Sequence, residues 1–538
     1  MRPLSACMAC RERRKRCQRP RGSTSCEFCT ARRLECLMAP KPDAESDGAY
    51  ELLKHHRHGT DLYSASAAAL SQDAIVEFAN LYFETVQGGF PSLFHRPTFM
   101  GDVADGSVPL ILLYGVIGLS ARFSVHPSLS KIEPWERGRP YAKEAERMLD
   151  LHNVTLTTIQ ACILLAINLA IEGESMTECV FLAIAARMAL LLDLPNAAAR
   201  TPLEQELNQR VWWSIVTTDT WCSANLCVPR AIRLGNNVPS LLDEWAFSRL
   251  GRDDQFEGDS PNLSACSSSP LAHLVHLNRL LYEIHQVNAM IVDDHVQPDR
   301  AQSSIASLST SLDNWISGLP PEMQCTEANM AHWAAAGFGG IFATLHINYN
   351  HAAQLLFYQF LYASQGGSGG PAATKPVSGE LLLTDAYARR CKTHAAALCD
   401  LIYSARVNHG VDLRFTILAH VLVIASTVHI HSLLFSVDEE EIALAKVRLQ
   451  RNFETITRLH TYWPAASASF SRLQAFHSAC LKSTHSSFRL DRWMLRFMLE
   501  FSKPIDERGS GMVEEGSSSV ADPEGAKPFD QLRYLLER

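Results

Sequence analysis

The chain has 538 residues, 47% of them hydrophobic and 20% charged, enough apolar material for a large core, which excludes a wholly disordered chain, a collagen-like polymer and a small disulfide scaffold. The formal net charge of −8 conceals a division. Residues 1–38 hold ten Lys or Arg against three Glu, or +7, and the rest carries 39 basic against 54 acidic residues, or −15.

No 7–15-residue apolar stretch follows the first methionine, so no secretory signal is read and an intracellular protein is expected. Six of the fifteen cysteines fall in the first 36 residues; the other nine are scattered, mostly in apolar runs. In a reducing compartment such a cluster points to metal.

The six cysteines run Cys7-x2-Cys10-x6-Cys17-x8-Cys26-x2-Cys29-x6-Cys36, two copies of one C-x2-C-x6-C unit. Thiolates favour zinc, and two intervening residues let both sulfurs reach one ion as the chain turns into a short helix. Two Zn²⁺ with four private ligands each would need eight sulfurs, so two must bridge. Equivalence of the units assigns the bridge to Cys7 and Cys26. Six thiolates and two Zn²⁺ sum to −2 and leave the module at about +5. It has few apolar residues, so metal binding must supply folding energy, on the order of 10 kcal/mol per ion in comparable fingers.

Arg11, Arg13, Arg14, Lys15 and Arg16 place five cations in six positions of the first predicted helix. A guanidinium fork matches guanine O6 and N7 in the major groove, and the remaining cations suit phosphates. The second unit offers only Arg32 and Arg33, assigned to phosphate contact. The basic run also fits a nuclear import signal. Residues 39–70, punctuated by Pro40, Pro42, Gly48 and Gly59, read as a linker in which Lys54-His55-His56-Arg57-His58 is a polar spacer.

A large all-α body is expected over 71–503. Ile75, Phe78, Ala79, Tyr82, Phe83 and Val86 share one helix face that ends at Gly88-Gly89. Thr157 with Gln160 reads as a capping box, and Thr201-Pro202-Leu203-Glu204 as a start with proline at the first helical position. Loops are expected at 251–270 and 365–380. The apolar stretch 416–435 has the length of a membrane span, but His420, His429 and His431 interrupt it and no basic flank follows, so a buried helix is expected and no membrane partner. Trp212 and Trp213 are read as packing residues, Asp219 as a capping or salt-bridge residue, and His346, His351, Cys222 and Cys227 as buried helix residues. Residues 504–538 form an acidic, Ser/Gly-rich tail expected to be mobile, readable as an activation segment or a frayed terminal helix.

Residues 1–38 resemble the fungal Zn(II)2Cys6 binuclear zinc-cluster transcription factors, on Ala6-Cys7-x-x-Cys10-Arg11-x-Arg13-Arg14-x-Arg16-Cys17 and all six ligand spacings. The resemblance implies that Arg13 and Arg14 read a CGG triplet. Lysine is common at the second of these positions, and the loop before Cys26 is longer than usual, with Pro20 six residues ahead of that cysteine.

A second resemblance, over roughly 71–290, is to the fungal-specific transcription factor middle domain. It rests on Tyr82-Phe83, Phe90-Pro91, His95-Arg96-Pro97-Thr98-Phe99, Gly118-Leu119-Ser120-Ala121-Arg122, Ala185-Ala186-Arg187-Met188-Ala189, Arg210-Val211-Trp212-Trp213-Ser214 and Asp219. Val228-Pro229 stands where a glycine before proline is usual. Together they imply a small N-terminal binuclear zinc cluster with two short helices, a linker and a helical regulatory domain. The implied protein is nuclear, with double-stranded DNA and the transcription machinery or coactivators as partners. Its expected role is activation of RNA polymerase II transcription of a dedicated gene set. Secondary-metabolite gene clusters are the setting carried over from the resemblance alone. A small-molecule effector fits such a regulator, and no residue set identifies one.

Two other classes are kept. A zinc-buffering or thiol-redox protein fused to a helical domain accounts for the cysteines but not the arginines. A metabolic enzyme with a DNA-binding appendage finds no G-x-S-x-G, Walker, G-x-G-x-x-G or H-E-x-x-H motif, so no catalytic residue is assigned. Residues 37–70 lack three consecutive apolar heptads, which leaves monomeric binding and a homodimer through the helical body both open.

Overall fold

The computed structural model describes residues 26–32, 70–88, 91–233, 240–256, 269–293, 298–361, 378–483 and 497–499. It divides into two compact units, 1–68 and 69–538. The linker up to Ala69, the tail 504–538, most of the cysteine-rich segment and the greater part of both expected loops lie outside the described residues.

The first unit contributes helix α1, Glu27–Arg32. The second unit is helical throughout, with no strand among its described residues. Its first helix, α2 (Gln72–Leu81), starts at Ser71, whose hydroxyl accepts the Ala74 N–H at 3.3 Å. It continues as a π-turn over Tyr82–Val86, so the expected apolar face runs on to Val86 with Ala74, Phe78, Ala79, Tyr82, Phe83 and Val86 buried. There follow α3 (Arg96–Asp105), α4 (Leu110–Ser120), α5 (Arg139–Met148), α6 (Leu156–Glu172), α7 (Ser175–Leu191) and α8 (Pro202–Leu226). After the short α9 (Glu244–Ser248) come α10 (Pro270–Val292), α11 (Pro298–Ser317), α12 (Glu327–Ala335) and α13 (Gly339–Phe357). The described part closes with α14 (Ser378–His409), α15 (Leu418–Phe435), α16 (Glu439–His460) and α17 (Ala466–Ser483).

Sequence neighbours pack in pairs, α4 on α5, α6 on α7, α13 on α14 and α15 on α16, as short connections favour. Distant pairs, α10 on α13 and α15 on α17, tie these together around one continuous apolar core from Ala79 to Leu499. The α4–α5 pair is unusually close: a Cβ added at Gly138 would lie 1.9 Å from the Gly118 carbonyl oxygen, so neither helix tolerates a larger residue there without moving.

Of the two helix starts read from capping signals, one holds and one differs in register. Thr201 caps α8 as expected, accepting the Glu204 N–H at 3.2 Å ahead of Pro202. The cap of α6 is Thr155 and not Thr157; Thr155 Oγ1 accepts the Thr158 N–H at 3.3 Å. Gln160 is drawn away from a capping box because its amide donates to the Leu93 carbonyl at 2.7 Å, a buried long-range bond.

Residues 416–435 do form a buried helix. Every residue of α15 from Leu418 to Ser432 is buried, its histidines included. By length and apolarity both α15 and the segment Ser175–Asn196 match a membrane span; 83% of the first is buried within the fold and 28% of the second. The outward row of α7, Met176, Val180, Leu190 and Leu191, is exposed.

Candidate functional site

Of the sequence-predicted ligands, Cys26 and Cys29 are described. Cys26 sits just before α1, and the Cys29 N–H donates to its sulfur at 3.4 Å. Thr30 donates from both its N–H and its hydroxyl to the Cys26 carbonyl, each at 3.0 Å. The C-x2-C spacing therefore makes the expected turn into a short helix. Both sulfur-bearing residues are buried, and Thr30, Ala31 and Arg32 are exposed. Two inward thiols on one turn with an N–H directed at one of them suit half of a tetrahedral thiolate site. Arg32 is placed outward, as a phosphate contact requires. Cys7, Cys10, Cys17, Cys36, Arg11, Arg13, Arg14, Lys15, Arg16 and Arg33 lie outside the described residues.

In the helical unit, the residues that carry the second resemblance converge on buried polar contacts. Arg210, fully buried on α8, donates to Glu206 at 2.7 Å, to Glu244 at 2.9 and 3.0 Å and to the Leu242 carbonyl at 2.8 Å. Its guanidinium carbon lies 3.9 Å from the centre of the Phe247 ring. Burial opposes the charge, but Glu244 and Glu206 outweigh it and hold the Arg210 pKa above its ordinary value. Ser214 Oγ accepts the Ser92 N–H at 3.1 Å and Leu242 N–H donates to Glu206 at 3.2 Å, so one arginine cluster fixes two loops. His95 packs edge-on against Phe247 at 4.9 Å, and burial lowers its pKa.

Asp219, open in sequence to a capping or a salt-bridge role, instead holds the loop that follows α8. It accepts backbone N–H groups of Ala231 and Ile232, both at 3.1 Å, and the Ser223 hydroxyl at 3.2 Å. Arg122 is fully buried; it donates to the Tyr462 carbonyl at 3.0 Å and the Gly118 carbonyl at 3.1 Å, and burial lowers its pKa to about 10. His346 and His351 are buried, with pKa values lowered by desolvation to about 4 and about 3. Cys222 is buried too, whereas Cys227 is exposed: it ends α8 with a left-handed φ of 54°, where the chain leaves the helix ahead of Val228-Pro229.

A cavity of about 590 Å³ opens between the α6–α7 turn, the end of α8 and the starts of α15 and α17. Much of its wall is apolar, from Ala170, Ile417, Ala419, Val423 and Ala465. Glu178, Asn225, His420 and Arg472 also line it, with Trp221 and Cys222. Burial pushes the Glu178 carboxyl up to about 8. Burial, then His351 and Arg472, keep the His420 imidazole well below its ordinary pKa, and burial raises the Cys222 thiol. Asn225 Oδ1 is buried without a hydrogen-bond partner among the described residues. Trp221 stacks on His351 with ring centres 5.5 Å apart. These groups span positions 170 to 472, and their only trace in the sequence is one carboxylate in the apolar first turns of α7.

Residues 79–317 match the fungal specific transcription factor domain. A transcriptional regulatory protein of Schizosaccharomyces pombe is 23% identical over 313 residues, 52% of this chain and 32% of that protein. A Zn(2)-C6 fungal-type transcription factor of Fusarium oxysporum f. sp. lycopersici is 24% identical over 212 residues, 36% and 22% of the two chains. Activator of stress genes 1 of Saccharomyces cerevisiae is 23% identical over 269 residues, 47% and 26%. The chain spans about a third or less of the length of these relatives.

Proposed function

Because the chain belongs to the fungal transcription regulators that carry this helical domain, we propose that it is a nuclear, sequence-specific DNA-binding regulator of RNA polymerase II genes. Its DNA-reading part is the N-terminal cysteine-rich segment. Cys7, Cys10, Cys17, Cys26, Cys29 and Cys36 would hold two Zn²⁺, with Cys7 and Cys26 shared. When bound, the ions fix the fold of a segment too polar to fold on burial alone. Arg13 and Arg14 contact guanines of a CGG triplet; Arg11, Lys15, Arg16, Arg32 and Arg33 hold phosphates. The sign of regulation is activation of a dedicated gene set, in the secondary-metabolite setting that the resemblance brings with it.

The observation that carries this reading is the doubled C-x2-C-x6-C unit enclosing five cations in six residues. The inward pair Cys26 and Cys29 with outward Arg32 supports it. A metal-buffering protein leaves the arginines unexplained.

The test is a titration of full-length zinc-loaded protein on a CGG-containing duplex and on a scrambled duplex. Arg14→Ala should lose about 1 to 3 kcal/mol on the first and little on the second, whereas Lys15→Ala should weaken both alike. The logarithm of affinity should fall with the logarithm of salt at about −0.9 per phosphate neutralised. Equal losses for Arg14→Ala on both duplexes would overturn base reading, and indifference to any duplex would favour metal buffering.

A further inference from the structure

We propose that the cavity at the α6–α7 turn binds a small organic cation, an ammonium on a flat apolar body, with Glu178 and Asn225 receiving the cation and Trp221 the body. This goes beyond DNA recognition and makes the helical domain a receptor for a basic metabolite.

The argument starts from what is left over. A buried carboxyl ordinarily finds a cation or several N–H donors, as Glu206 and Glu244 do at Arg210. Glu178, partly buried, has neither a hydrogen bond nor an ion pair among the described residues, and it lines a cavity of about 590 Å³. Asn225, 4% exposed, faces the same space with its Oδ1 unpartnered. Both acceptors line one space that Arg472 and His420 also line, and no hydrogen bond among the described residues reaches either of them. A ligand that brings N–H donors and positive charge satisfies both at once, and the volume lies in the range of small-molecule sites. The apolar wall and the Trp221 ring would take a hydrophobic body, with the ring adding a cation–π contribution. Arg472 also lines the cavity, but its guanidinium is stacked 4.3 Å from the Phe497 ring centre.

The charge of Glu178 sets the pH dependence. A cation needs the carboxylate, whereas the free protein holds the carboxyl mostly protonated until about pH 8. Binding therefore expels a proton and tightens as pH rises, about tenfold from pH 6 to 7, and levels off above 8. The other titratable groups around it are Cys179 and Cys222, Glu172, His420 and Arg472. Burial keeps both thiols and the imidazole neutral through this window. Glu172 is ion-paired with Arg139, and a guanidinium stays charged.

The test is calorimetric titration of the full-length zinc-loaded protein with 2-phenylethylamine at pH 6, 7 and 8, with 2-phenylethanol and phenylacetate as neutral and anionic counterparts. The amine should bind at one site, tighter than either counterpart by at least tenfold at pH 8, and about tenfold tighter at pH 7 than at pH 6. Glu178→Gln should weaken it at least tenfold and flatten the pH profile, and Asn225→Leu should weaken it severalfold. Thermal melts confirm that both variants fold. Tighter binding of phenylacetate, amine binding that ignores Glu178→Gln, or no saturation by this or other primary amines at millimolar concentration would each overturn the proposal. No DNA is present, so failure here leaves the reading of the N-terminal segment untouched, and failure on DNA leaves this site untouched.

Discussion

Helix α8 carries two buried polar groups that end in opposite conditions. Near its start, Arg210 meets Glu206, Glu244 and the Leu242 carbonyl, and every charge has its counterpart within 3.0 Å. Near its end, Asn225 has its buried Oδ1 unanswered among the described residues and shares a cavity with the partly buried Glu178 of α7. Both places withdraw polar groups from bulk water, Arg210 fully and Glu178 in part; the difference lies in whether the fold itself supplies the partner. A completed set fixes loops, and the residues of the resemblance belong to it. An incomplete set costs stability on its own and is best explained by a partner that is not part of the chain.

The largest effect that can be set against this comparison is acid, because it strikes both regions. His285, His346 and His394 are held by burial at about 4, and His351, His429 and His431 at about 3. Their folded pKa values lie below the unfolded 6.5, so the unfolded chain binds more protons between these limits. The stability they contribute is fully present above pH 6.5 and is lost as pH falls through that window, by at most about 1.4 kcal/mol per pH unit for each imidazole. Chemical denaturation between pH 7.5 and 4.5 should show a steepening loss; a flat profile would mean that these rings find water or partners on protonation.

Next comes the completed set. Arg210→Met keeps the length and apolar stem of the side chain but strands Glu206 and Glu244. It should cost about 3 to 5 kcal/mol in denaturant unfolding at pH 7. Part of that loss should return at pH 5, where Glu206, whose pKa burial already raises, can take up a proton. A cost below about 1 kcal/mol would show that the cluster has no structural weight, and the contrast drawn on α8 would fail.

Local signals were readable and global ones were not. The face from Ile75 to Val86 and the Thr201-Pro202 start could be read because periodicity and capping involve residues within a turn or two of each other. The C-x2-C turn at Cys26 and Cys29 is legible for the same reason. The capping box at Thr157 misled because a remote carbonyl, that of Leu93, claims Gln160. Cys227 was misplaced because nothing within an apolar run announces a left-handed residue other than glycine. The cavity could not be seen at all, since Glu178, Asn225 and Arg472 come from three helices and each looks ordinary in its own neighbourhood. The body also continues past residue 317, where the family match stops: Asn288 donates to Leu355, and Arg122 to Tyr462, within the same core.

The smallest effect is the most discriminating, because its sign is opposite to that at Arg210. Glu178 has a folded pKa raised from 4.5 to about 8, so it favours the folded state fully below pH 4.5 and loses that contribution as pH rises through 8. Glu178→Gln removes the titration and keeps the shape. Without ligand it should therefore stabilise the protein at pH 8, on the order of 1 kcal/mol once the linkage limit of about 1.4 kcal/mol per pH unit is discounted for solvent reaching a partly exposed carboxyl, and do little at pH 5. A saturating amine should reverse the order at pH 8, since it stabilises the wild type by at least about 1.4 kcal/mol more than a variant that binds it tenfold less tightly. Were Glu178→Gln to destabilise the ligand-free protein at pH 8 as Arg210→Met does at pH 7, the carboxyl would have a partner within the fold, and the two ends of α8 would be alike.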